Sequence, residues 1–114
     1  MSEFTPFSQN GTTRALTADT TAPAAVQVLP TFTSALNPRN QFRVVNAGTN
    51  VAFLGTGPTA ALAVANAAPV TTTGDGIPML SGAVEIFSFP PTWYFTARTA
   101  SGTSQIYITP GEGL

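Results

Sequence analysis

The chain has no cysteine, no histidine and no lysine among its 114 residues. Without cysteine there is no disulfide, no thiolate metal ligand and no thiol nucleophile, and the redox compartment stays open. Without histidine or lysine the usual general bases and imidazole ligands are missing as well. A serine nucleophile would lack its base, and no Gly-x-Ser-x-Gly elbow occurs. A two-acid glycosidase would have to use Asp75 with Glu85, neither of which sits in a recognisable motif. The reading is therefore a protein that is not an enzyme and takes no cofactor.

Charge is scarce too. Asp, Glu, Lys and Arg make up 8% of the chain, against about 25% in average soluble domains. Four scattered arginines and a net charge of −1 do not make a phosphate-binding patch, so no nucleic-acid partner is expected. No apolar run approaches the ~18 residues of a membrane span. The start, Met1-Ser-Glu-Phe-Thr-Pro-Phe, lacks the basic-then-apolar profile of a signal peptide. Sheet proteins guard exposed strand edges with charge, above all lysine. Here the edges are expected to be covered by the fold itself or by other chains.

What is present reads as β-structure. Ten glycines and ten prolines punctuate short runs of β-branched and aromatic residues, and the length fits one domain. Residues 1–22, rich in Thr, Ser and Ala, read as an extended arm with a short strand near Thr12–Thr17; Phe4 and Phe7 are expected to dock it on the body or on a partner. Residues 23–114 form the domain. Val26, Val28 and Leu29 precede Pro30 as an edge strand. Gln41–Gly55 alternates as two strands about Ala47-Gly48-Thr49, which predicts a β-hairpin. Pro58–Ala68 is alanine-rich after a proline, yet Leu62 and Val64 alternate, and a strand is favoured over a marginal helix. Pro69–Gly76 reads as a surface loop.

The C-terminal third carries most of the aromatic bulk. Ala83–Phe89, Thr92–Thr99 and Gly102–Thr109 predict a three-stranded antiparallel meander. In the first strand Val84 and Ile86 oppose Phe87 and Phe89, so both faces are expected to be partly covered. Trp93, Phe95 and Ala97 should face inward, as should Ile106 and Ile108, with Tyr94, Arg98 and Tyr107 outward on adjacent strands as candidate contact residues. The fold class is all-β, a single β-sandwich or jelly roll of about 7–9 short antiparallel strands with an N-terminal arm. Gly74-Asp75-Gly76 lacks the second carboxylate of a calcium loop. Gly55-Thr-Gly57 lacks the third glycine of a dinucleotide loop, and both read as turns. Asn10-Gly11-Thr12 matches a glycosylation sequon, a frequent chance pattern.

Three stretches carry a likeness: Phe42-Arg-Val-Val-Asn-Ala-Gly-Thr-Asn-Val-Ala-Phe, Ile77-Pro-Met-Leu-Ser-Gly-Ala-Val-Glu-Ile-Phe and the closing Thr109-Pro-Gly-Glu-Gly. In that order they resemble small all-β virion proteins of tailed bacteriophages, over about residues 40–114. The resemblance implies a structural role, with a capsid decoration or cement protein favoured. Its partners would be the major capsid protein and its own copies, a trimer favoured over a dimer. It would be made in the host cytoplasm and end on the capsid surface. Candidate interface residues are Phe4, Phe7 and Arg14 in the arm and Tyr94, Arg98 and Tyr107 in the body. A neck, tail or fibre-associated component is the alternative. A carbohydrate-binding module stacking sugars on Trp93, Tyr94 or Tyr107 is a further one.

Overall fold

A computed structural model describes residues 7–9, 11–28, 40–70, 74–90 and 92–112. Among the described residues the strands are β1 (Ser8–Gln9), β2 (Arg14–Ala18), β3 (Val26–Gln27), β4 (Asn40–Asn46), β5 (Ala52–Gly57), β6 (Ile77–Met79), β7 (Val84–Phe89), β8 (Tyr94–Thr99) and β9 (Ser104–Glu112), with one helix, α1 (Ala60–Asn66). They form two antiparallel sheets. Sheet A has the order β1-β9-β4-β7, with β2 also paired to β9, and sheet B has the order β3-β8-β5-β6. The pairs β2·β9, β3·β8, β4·β7 and β5·β6 are nested, as in one long hairpin whose tip lies between β5 and β6. Rolling that hairpin adds the contacts β4·β9 and β5·β8. This is the winding of a jelly roll, and the all-β sandwich expected from the sequence is what the chain forms.

Inward residues of both sheets build the core. Leu16, Phe42, Val44, Ile106 and Ile108 come from sheet A and Leu54, Met79, Phe95 and Ala97 from sheet B, all buried. Phe42 and Phe95 meet across the gap at 4.7 Å between ring centroids, and Phe89 stands edge-on to Phe95 at 5.7 Å. Phe89 also stacks on Trp93 at 5.6 Å. Trp93 lies just ahead of β8 and is half-buried, so it lines the rim rather than the core where the alternation had put it.

Further expectations need correction, in strand pairing, helix recognition or burial; Gly55-Thr-Gly57, for one, is no turn but the end of β5. The stretch 41–55 is no hairpin: β4 and β5 lie in different sheets, and residues 47–51 turn the corner between them. Nor do β7, β8 and β9 form a meander, since β7 and β9 flank β4 while β8 belongs to sheet B. Alternation tells which side chains share a face, and says nothing about which strand lies alongside. Within 58–68 the chain is helical. Thr59 caps α1, its Oγ1 accepting from the Leu62 N–H at 3.2 Å. Leu62 and Val64, the pair that suggested a strand, both face solvent. The small side chains Ala63 and Ala67 pack onto Gly55 of β5, where any Cβ would collide with Ala63 O and lie 2.5 Å from Ala67 N. Finally, Val84 and Ile86 are exposed rather than covered.

The corner between the sheets is held by one buried side chain. Asn46 donates from Nδ2 to Met79 O (2.8 Å) and Asn50 O (2.9 Å), and its Oδ1 accepts from Gly48 N (3.0 Å) and Ser104 Oγ (2.9 Å). All four side-chain positions are used, which is how a buried amide is tolerated. Gly48 has no room for a side chain, since a Cβ there would lie 2.7 Å from Ser104 Cα.

Candidate interaction surface

The two outer faces of the sandwich are finished differently. Over sheet B, α1 covers Gly55 and Gly57. The chain after β2 covers the rest. The backbone of Asp19 pairs with that of Arg98 in an isolated parallel β-bridge, Arg98 Nε donates to Thr20 O at 2.7 Å, and Thr96 Oγ1 donates to Pro23 O at 2.8 Å. Thr96 is wholly buried in consequence.

Sheet A has no such cover among the described residues. Antiparallel partners share a face, so the register puts Thr17 and Gln105, then Tyr107 and Val45, then Arg43 and Ile86 in rows across it, with Val84 beside Val45. Val84 is 47%, Ile86 50% and Tyr107 40% exposed. Arg43 is the only charged side chain in these rows.

One border of this face is an open strand edge. β7 pairs with β4 on one side and with no described strand on the other. It is entered through a turn in which Ala83 N–H donates to Leu80 O at 2.9 Å with Gly82 at φ 78°. That positive φ makes it a type II turn, which needs glycine at this place. Gly82 N–H donates to Asn46 O (2.8 Å) while Asn46 N–H donates to Ala83 O (3.0 Å), a bulge of two residues against one. Counting on by twos, Glu85, Phe87 and Phe89 spend their backbone groups on β4. The N–H and C=O groups of Val84, Ile86 and Ser88 therefore point to the free edge.

The candidate residues named from sequence do not form one cluster. Phe4 lies outside the described residues, and Phe7 is half-buried just ahead of β1. Arg14 donates from a guanidinium nitrogen to Gln27 O at 3.2 Å, clasping β2 of one sheet to β3 of the other. Tyr94 and Arg98 share the outer face of sheet B, and Arg98 is engaged by Thr20. Tyr107 stands on the opposite sheet, so the expected cluster of Tyr94, Arg98 and Tyr107 on adjacent strands does not exist. Of the three aromatic residues named for sugar stacking, Tyr107 thus lies on a different sheet from Tyr94. Arg43, Val84 and Ile86 were not among the candidate contact residues, and in a chain without any lysine the missing charge does not single out which strand forms the edge.

Among the described residues no three His, Cys, Asp or Glu side chains gather as a metal site would require. A surface depression at one end of the sandwich is lined by Thr49, Asn50, Val51, Phe53, Ala100 and Ser101, with no charged group. Comparison with known proteins adds no name: no family model, no curated protein and no solved structure matches this chain.

Proposed function

We propose that the chain is a structural protein of a tailed-phage virion, a decoration or cement protein seated over junctions between major capsid subunits. The observation that carries this reading is the face of sheet A, which no described residues cover, apolar and hydrogen-bonding with Arg43 the one charge in its described rows, ending at a strand edge that no described strand pairs. A surface so poor in charge suits a protein that spends its working life covered by neighbours. The sequence resemblance supplies the virion context, and jelly rolls are a frequent fold of capsid domains. Because β1 and β2 already pair with β9, strand addition onto the shell by the N-terminal arm would be confined to residues preceding Ser8.

Copy number tests this directly. Quantitative mass spectrometry of purified particles, with the major capsid protein as internal standard, should find hundreds of copies per particle. About a dozen would move the chain to the neck or tail, and absence from the particle would overturn the virion reading altogether.

A further inference from the structure

The free edge of β7 fits a second copy of itself. We infer that two chains join through their β7 strands, antiparallel across a two-fold axis at Ile86, so that sheet A continues from one protomer into the other.

The register follows from backbone directions. Only Val84, Ile86 and Ser88 offer groups to the edge, and a symmetric partner offers the same three. Pairing Ile86 with the partner's Ile86, and Val84 with the partner's Ser88 in both directions, satisfies every one of those N–H and C=O groups. A shift by two residues either way brings the Gly82 bulge or Pro90 into the ladder and loses a hydrogen-bonded pair. One of those shifted registers also sets Glu85 against the partner's Glu85. In the centred register Glu85, the only charge in β7, falls opposite the partner's Phe87, so no like charges meet.

The side chains agree with the backbone. Ile86, half exposed in the monomer, meets its own copy on the outer face, where an apolar pair is favoured. Net charge of −1 per chain sets little repulsion against association. The occupant favoured is a copy rather than an unrelated strand because turn and proline bound β7 to six residues, the length its own copy brings. The contact is closed, since each β7 has one edge that no described strand occupies. It gives dimers and does not by itself give the three-fold assembly that the virion resemblance implies. The inference stands independently of the virion reading.

A chain without cysteine permits a clean test of register. Hydrogen-bonded antiparallel partners have Cα atoms about 5.5 Å apart, inside the 4.4–6.8 Å that a disulfide spans. The Ile86→Cys variant of the full chain, oxidised with diamide, should run as a covalent dimer on non-reducing gels. The Val84→Cys and Ser88→Cys variants should cross-link poorly alone and well when both substitutions share one chain. Thr17→Cys, exposed on the same face but far from β7, is the control. Light scattering on the unaltered chain should give twice the 11.7 kDa chain mass, falling to one chain mass in Ile86→Pro. Ile86→Pro removes an N–H that β4 does not use, so circular dichroism should still report a folded sheet. Ile86→Lys, which leaves the backbone intact, should likewise be monomeric and covers the case in which proline disturbs the strand. A monomeric or trimeric parent chain, or Ile86→Cys cross-linking no better than Thr17→Cys, would overturn the proposal.

Discussion

Replacing Asn46 should cost more stability than its single polar side chain suggests. The amide makes four hydrogen bonds and is wholly buried. In the Asn46→Ala variant two of its partners satisfy each other, because the single proton of the Ser104 hydroxyl, no longer directed to Asn46 Oδ1, goes to Asn50 O at 2.8 Å. The other two, Met79 O and Gly48 N, lose their bond to the amide. Each buried group left unpaired costs about 1–3 kcal/mol, which sums to roughly 2–6 kcal/mol against a total of about 5–15 for a domain of ordinary stability. Urea titration followed by Trp93 fluorescence should show the midpoint falling with an unchanged slope.

The Asn46→Asp variant sharpens the same reasoning. Where the Nδ2 donors were, an ionised carboxylate would face the Asn50 and Met79 carbonyls with acceptors only. Burial and those carbonyls would raise its folded-state pKa above the unfolded value of about 3.9. Between the two values the folded chain holds the extra proton, so stability should fall as pH rises, by up to about 1.4 kcal/mol per pH unit. The variant should thus lie nearest the parent near pH 4 and furthest from it near neutrality. A loss under 1 kcal/mol for Asn46→Ala, or no pH dependence for Asn46→Asp relative to the parent, would refute the role given to this corner.

The helix seat and the N-terminal strands make further predictions. Gly55→Val should displace α1 and destabilise the fold by about 2 kcal/mol or more, as overpacking a tight contact does, seen as a lowered melting temperature. Gly82→Ala meets open space but holds φ at 78°, so the cost should be backbone strain alone, about 1 kcal/mol. Removing residues 2–12 should leave a folded domain by circular dichroism, whereas removing 2–18 should not, because Leu16 and Ala18 are core residues. Equal stability of the two truncations would show that β2 adds nothing to the sandwich.

Much of the inside of this fold was legible in the sequence, and less of its wiring. Burial of Phe42, Val44, Ile106 and Ile108 follows from alternation, because a strand has only two faces. Partners were misread where closeness in sequence stood in for closeness in space. A jelly roll pairs β4 with β7 and β9, and a single chain's pattern does not write those distant matches. The helix was missed because its evidence is shape rather than hydrophobicity: alanines that fit against Gly55, with larger apolar residues turned to water. The open face was missed for a related reason. Val84 and Ile86 alternate with Phe87 and Phe89, and the pattern alone does not say that only one of those pairs is inside.

The two outer faces show what the chain does with so little charge. Sheet B closes its own surface with glycine and alanine, whose lack of bulk lets a helix lie directly on the strands, and with threonine and arginine bonded to the crossing chain. Sheet A places Tyr107, Val45, Ile86 and Val84 in the same outward positions, side chains large enough to hold a neighbour at sheet-packing distance. A face meant only for water gains nothing from such residues, and a face meant for a helix of its own would have been built like sheet B. The contrast between the sheets fits the association proposed for sheet A.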